Sequence, residues 1–373
     1  MLLRLGRWRR LALGSCACAL ALATAGGHLK GEPQDEPGFA TLVERFSERG
    51  GYFDTDNLIS NERSYLHPLD GLRERGVSGG VYIGVGPDQN FSYVAQIRPA
   101  IAFIVDIRRD NLLLHLLFKA LFELSDDRAD YLRLLFALPP PSTADMSREA
   151  WRHASIQELV QYVDGTQPTE ALTRAVRARV DAAISRVGLP LTPDDFETIA
   201  RFHRSFITAG LSLKFQSTGR APPSYYPTFR DLLLETDRGG REGNYLASEE
   251  GFQFVKALQG RDGVIPVVGN LAGDEALPSI ARFMAARGDR LSAFYTSNVE
   301  LYLSQDGLYP RFVSNLSRLP RDADSVIIRS IFRTMVPESV PGYLSTSVVR
   351  PVGELLETYE QGRIRSYWNL IGR

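Results

Sequence analysis

Two glycines, Gly84 and Gly86, and an acid 22 residues beyond the first, Asp106, are the residues of this chain whose types and spacing best suit chemistry. The glycines lie at the end of an apolar run, residues 80–85, where a strand must turn sharply into a helix. Without a Cβ, each lets backbone come close to a ligand. Asp106 closes a second apolar run, residues 100–106. An acid there can accept hydrogen bonds from both ribose hydroxyls of an adenosine-containing cofactor, because open parallel sheets bind ligands at the carboxyl ends of their strands. Turn and acid then face one crevice.

The turn reads Gly84-Val85-Gly86-Pro87-Asp88-Gln89. Gln89 stands where the dinucleotide fingerprint has its third glycine, and Asp88 puts negative charge where a pyrophosphate would meet the helix N-terminus. Both argue against NAD or FAD. S-adenosylmethionine has no phosphate and carries a sulfonium and an ammonium, so it tolerates such a turn. The alternative, glycines that only allow tight packing, stays open at this level.

The run Gly84-Val85-Gly86-Pro87-Asp88-Gln89-Asn90-Phe91, with Ile104-Val105-Asp106-Ile107-Arg108-Arg109-Asp110-Asn111, resembles an uncharacterised bacterial family whose fold is similar to class I S-adenosylmethionine-dependent methyltransferases. The likeness spans residues 39–332. It implies that Gly84 and Gly86, followed by Gln89 and Asn90, form the cofactor turn, that Asp106 holds the ribose, and that Asp274, after Gly273, contacts adenine. It further implies that residues 294–300 end a strand at the substrate position. Asn298 and Glu300 there would orient a nucleophile or accept its proton; equally, Ser297 and Asn298 would simply cap the next helix. The Asn-Pro-Pro-Tyr motif of enzymes that methylate amino groups of nucleic acids is missing, which argues against DNA or RNA bases and leaves a small molecule or a protein as substrate. Glu62, in the polar segment Asn61-Glu62-Arg63-Ser64-Tyr65, is expected over the crevice, binding the methionine ammonium or starting a solvated helix.

Other chemistries find less support. The five histidines, His28, His67, His115, His153 and His203, show no metal spacing, so no metal is expected, and His115 reads as a core residue on an apolar helix. No Gly-x-Ser-x-Gly elbow marks a serine hydrolase. The aromatics of residues 225–229 suit either a substrate pocket or packing. A net charge of −1 gives no global attraction to nucleic acid or anionic lipid. Only four of the 43 basic residues are lysines (Lys30, Lys119, Lys214 and Lys256), so a single arginine carries little information.

The elements that must position these groups follow from the apolar pattern. Strand, helix, strand at 80–85, 90–97 and 100–106 form a right-handed βαβ unit, followed by a deeply apolar helix at 111–124. Residues 126–235 contain no strand run and read as a helical insertion. Alternation resumes with strands at 264–268, 291–296 and 325–332, helices between them, and a helical 352–370. The fold expected is α/β: a mostly parallel, doubly wound, Rossmann-like sheet with a large helical insertion, the sheet domain being 39–125 and 236–373.

Before it, residues 1–25 pair Arg4, Arg7, Arg9 and Arg10 with an apolar stretch shorter than the roughly 20 residues of a bilayer span, and 26–38 form a polar linker. A signal peptide and export to the periplasm or medium are expected, with membrane attachment only if the segment stays uncleaved or is lipidated. Cys16 and Cys18, the only cysteines, both lie in this segment. Export sits uneasily with a cytoplasmic methyl donor, so a second expectation is an exported binding or interaction protein that keeps the fold without catalysis.

Overall fold

The computed structural model describes residues 37–141 and 147–372; the expected signal segment, and the linker up to residue 36, lie outside the described residues. Pro37–Arg373 forms one compact unit. It opens with α1 (Phe39–Phe46), whose Phe39, Leu42, Val43 and Phe46 fall on one face and are all buried. Next come a single 3₁₀ turn (Arg63–Leu66) and α2 (Pro68–Glu74).

The βαβ unit forms as expected, with β1 (Val81–Gly84), α3 (Gln89–Ile97) and β2 (Ile101–Asp106). α3 stops at Arg98, held at φ +53° just before Pro99, which disfavours further helix. α4 (Arg109–Leu124) is apolar almost all round because it lies between the sheet and the insertion, packing on β2, β3 and three insertion helices.

The insertion contributes α5 (Arg128–Leu135), α6 (Arg148–His153), α7 (Ile156–Gly165), α8 (Glu170–Ser185), α9 (Pro193–Ala209) and α10 (Phe229–Leu233). Reciprocal capping boxes start α7, α9 and α10, at Ser155/Glu158, Thr192/Asp195 and Thr228/Asp231. α11 (Glu249–Gly260) returns the chain to β3 (Val264–Val268), α12 (Ala276–Arg287), β4 (Leu291–Ser297), α13 (Val299–Gln305), α14 (Tyr309–Arg318) and β5 (Arg321–Phe332).

The six strands run in the order β3-β2-β1-β4-β5-β6. All neighbours are parallel except β5 and β6. This is the mostly parallel, Rossmann-like sheet expected, with its helical insertion between α4 and α11. β3 carries Pro266 within the strand, which its edge position tolerates. The order reverses between β1 and β4, so a ligand crevice belongs outside their carboxyl ends.

One strand was not expected. β6 (Ser345–Pro351) pairs antiparallel with β5, and the helical stretch expected at 352–370 is interrupted, α15 (Val352–Glu360) ending before Gly362 (φ +67°) and α16 (Tyr367–Leu370) following separately. The sequence Ser-Thr-Ser-Val-Val-Arg-Pro hides the strand because its first three buried positions are hydroxyls.

Candidate cofactor site

The β1–α3 turn is built around Asn90, which is fully buried. Its Nδ2 donates to the carbonyls of Val85 at 2.9 Å, Gly86 at 3.3 Å and Pro87 at 2.7 Å, and its Oδ1 accepts from the Tyr82 hydroxyl at 2.7 Å. Gly84 is required by this arrangement: a Cβ there would sit 1.9 Å from Asn90 Oδ1 and 2.7 Å from the Tyr82 oxygen. Gly86 adopts φ +82°, a conformation that favours glycine. Gly84 thus makes room for the protein's own side chain, and Asn90 holds the turn rather than facing a ligand.

Asp88 and Gln89 begin α3 and are both buried. The Asp88 carboxylate accepts from the Tyr245 hydroxyl at 3.3 Å, yet burial dominates and pushes its pKa up to about 7. Gln89 Nε2 donates to the Tyr295 oxygen at 3.3 Å, while its Oε1 is buried without a partner among the described residues.

Asp106 ends β2 as expected, and its carboxylate is already engaged. It accepts from the Arg108 backbone N–H at 2.9 Å and from Arg108 Nε and Nη2, each at 3.2 Å. Arg108 Nη1 reaches on to the Thr55 carbonyl at 2.8 Å. One turn along α4, Asn111 and His115 share its buried face. His115 Nε2 lies 2.9 Å from the Gly86 carbonyl. A carbonyl only accepts, so Nε2 carries the proton and Nδ1 is a bare acceptor. Burial drives the His115 pKa down to about 4, against the pull of the Gly86 carbonyl and the Asp106 charge, so the ring is neutral.

These residues share a defect. Thr55 Oγ1, Gln89 Oε1, His115 Nδ1 and both amide atoms of Asn111 are buried with no hydrogen-bond partner among the described residues. Such groups cost about 1–3 kcal/mol each if nothing satisfies them. Most of the set are acceptors. A cavity of about 260 Å³ lies between α1, the start of α4 and the end of β3, lined by Val43, Glu48, Arg109, Leu112, Leu191 and Val268 among others, and none of the unpartnered residues lines it.

At the β4 end, Glu62 is buried and accepts from three hydroxyls: Tyr295 at 2.6 Å, Ser297 and Ser330. Burial raises its pKa against those three donors. From Ser330 a buried chain of hydroxyls runs through Ser347 (2.8 Å) and Ser64 (3.0 Å) to Ser345 (2.9 Å), tying β5, β6 and the 3₁₀ turn together. Glu62 therefore sits beneath the crevice, not in a solvated helix start. Ser297 itself is held at φ +53°, in the left-handed region that non-glycine residues seldom enter.

Two expected residues are placed elsewhere. Glu300 does not face the crevice: it is buried in an ion pair with Arg329, at 2.8 and 3.3 Å, and also accepts from Thr296 and Tyr309. With its lone pairs so committed, it is no free base. Asp274 is exposed and pairs outward with Arg311 at 2.7 Å, because residues 269–273 turn back over Glu48, whose Oε1 accepts from the Asn270 N–H at 2.6 Å. Asn298 is half-buried, its Oδ1 accepting from the Ser297 hydroxyl at 3.4 Å, and nearby in sequence the Tyr302 ring meets Phe53 at 5.0 Å. Phe229, in the expected aromatic cluster, packs against Phe136 and Phe206, whereas Tyr225 is exposed.

The site also includes residues that spacing did not reveal, namely Thr55, Arg108, Asn111, His115 and Tyr245. Asn111 and His115 carried the one available signal, polar residues four apart with only Leu112, Leu113 and Leu114 between them. Among the described residues no group of three or more His, Cys, Asp or Glu is placed to hold a metal ion, and no helix is long and apolar enough to cross a membrane.

The mostly parallel, Rossmann-like α/β sheet defines the fold class of the protein. The model for a domain of unknown function, DUF7790, matches residues 58–180 and 216–365, well over half of the chain, which therefore belongs to that family. The span between the two matches lies in the insertion and contains α9. No curated protein matches the sequence.

Proposed function

We propose that this chain binds S-adenosylmethionine at the carboxyl ends of β1 and β2 and is methyltransferase-like, acting on a small molecule or a protein. The observation that carries this reading is the set of buried, unpartnered polar atoms on Gln89, His115, Asn111 and Thr55, in which the acceptors Gln89 Oε1, His115 Nδ1 and Asn111 Oδ1 outnumber the one pure donor, Asn111 Nδ2. Acceptors call for a ligand rich in donors, such as hydroxyl, amino or ammonium groups. A pyrophosphate offers none and would meet the buried Asp88 instead. Asp106 would hold the ribose hydroxyls, and Gln89, Asn111 and His115 would receive the remaining donors. When bound, the group supplies an activated methyl on a cationic sulfur. The chain's part is alignment and exclusion of water, which is why transfer does not depend on a strong base. Asn298, just past the end of β4, is the residue positioned to orient an acceptor.

One observation favours a second reading, a binding or interaction protein without catalysis: both acids near Asn298 are engaged, Glu300 by Arg329 and Glu62 by three hydroxyls. Calorimetry and thermal shift of the purified chain with S-adenosylmethionine, S-adenosylhomocysteine and NAD separate these readings. Heat and a raised melting temperature with the first two are expected. No response to either S-adenosyl ligand defeats the proposal, and a response to NAD alone overturns the argument from Asp88 and Gln89.

A further inference from the structure

Residues 50–58 cross the carboxyl edge of β2 as a strap, and the strap is fastened by polar contacts from both sides. On the sheet side the Gly51 N–H donates to the Ile107 carbonyl at 2.7 Å, and Arg108 Nη1 donates to the carbonyls of Thr55 at 2.8 Å and Asp56 at 3.4 Å. On the insertion side the Asp56 N–H donates to the Gln216 carbonyl at 2.9 Å, the Gln216 N–H to Asp56 Oδ1 at 3.0 Å, and Arg220 to Asp54 at 2.7 Å. Of the strap's large apolar side chains only Leu58, at its far end, is buried; Tyr52 is 77% and Phe53 38% exposed. A segment held mainly by polar contacts, with little apolar burial over residues 50–57, opens at lower free energy than the core.

Arg108 is the contact that joins this strap to the candidate site. The nearly buried guanidinium spends Nε and Nη2 on the Asp106 carboxylate and Nη1 on the strap. To a carboxylate, a guanidinium edge and a vicinal diol present the same thing, two adjacent donors. We infer that Arg108 is a ligand-exchangeable latch: it closes the 52–57 strap over the site by bridging it to Asp106, and a ligand with a vicinal diol displaces it from that carboxylate and so resets the strap. The second half of this inference rests on the proposed adenosine-type ligand; the first half does not.

Hydrogen exchange of the full chain, read at the strap amides of residues 54–57 and at β2, tests both halves. Arg108→Ala should speed strap exchange at least about tenfold while β2 keeps its protection. Arg108→Lys, which keeps the charge but cannot span both partners, should give a smaller change and decides the matter if the alanine variant does not fold. In the wild type, adenosine should alter strap exchange and 2′,3′-dideoxyadenosine should not. An unchanged strap in both variants overturns the latch. A strap that loosens on substitution but ignores adenosine keeps the latch and sinks the adenosine reading. Equal effects of the two nucleosides overturn the diol exchange alone.

Discussion

Gly84→Ala separates a glycine that serves packing from one that serves a ligand. The added Cβ would lie 1.9 Å from Asn90 Oδ1 and 2.8 Å from Tyr82 Cε1, so Asn90 must leave its place. That displacement costs about 1–3 kcal/mol in overpacking and about 1–3 kcal/mol for the carbonyls and tyrosine hydroxyl left unpaired. The sum is about 4 kcal/mol, and an unfolding entropy of about 2.1 cal/mol/K per residue turns it into a fall of about 5 °C in melting temperature. The decisive measurement is a double-mutant cycle by chemical denaturation. In an Asn90→Ala background the Cβ finds space and the Tyr82 ring can tilt into it, so the two substitutions should couple by about 2 kcal/mol. Gly86→Ala should show no such rescue, because its cost comes from φ +82°. A Gly84→Ala protein of wild-type stability that has merely lost ligand affinity would refute the reasoning, as would an undiminished cost in the Asn90→Ala background.

Breaking the buried pair with Glu300→Gln should cost about 3–5 kcal/mol in urea unfolding, and Glu300→Leu with Arg329→Met should recover most of it; a nearly neutral single variant would restore Glu300 as a candidate base. Asp88→Asn tests the raised carboxyl. With a native pKa of about 7 against about 3.9 unfolded, the native state holds the proton more tightly, so the wild type loses stability as pH rises from about 4 to about 7. Denaturation at several pH values should show the variant gaining on the wild type over that window, by about 4 kcal/mol at pH 8, and a gap that does not change with pH counts against the assignment. Asp106→Asn should weaken S-adenosylhomocysteine binding in calorimetry, whereas Asp274→Ala, which removes only an exposed ion pair, should leave it within about twofold; the opposite ranking would reinstate Asp274.

The mostly parallel sheet was legible because β1, β2 and β4 are apolar on both faces, as strands covered on both sides are. Asp106 was legible too, since the end of such a strand is a fixed place in space. β6 was not, because Ser345 and Ser347 are buried through hydroxyl bonds to Ser64 and Ser330, contacts that no local pattern encodes. Glu300 misled for a related reason: its partner Arg329 is 29 residues away on β5, and a carboxylate looks free until its counter-charge is found. Arg108 stood in plain view in the motif, but its role depends on the path of residues 50–58, which lack apolar periodicity. Asp274 was assigned through likeness to other folds, and the turn after β3 closes differently here, over Glu48.

The charges around the crevice restrict its occupant further than the glycine turn does. Three carboxyl groups belong to the candidate site, and each is accommodated differently: Asp88 by holding its proton up to about pH 7, Glu62 by three hydroxyl donors, Asp106 by Arg108. Among the described residues Arg108 is the only cation bonded to any of the three, and it is already spent on Asp106 and the strap. An incoming phosphate would thus find no unspent positive charge among these contacts, and would face acids in a setting where an unpaired ion is expensive to bury. A ligand with a diol, an amino group and a positive charge meets the reverse situation. Its diol takes over a carboxylate that a guanidinium now holds, its remaining donors reach Gln89, Asn111 and His115, and its charge is welcome near Asp88, whose proton it would help to release. On this balance, binding of a cationic ligand should release a proton near neutral pH, so the calorimetric heat of S-adenosylmethionine should depend on the buffer's ionisation enthalpy, and Asp88→Asn should abolish that dependence.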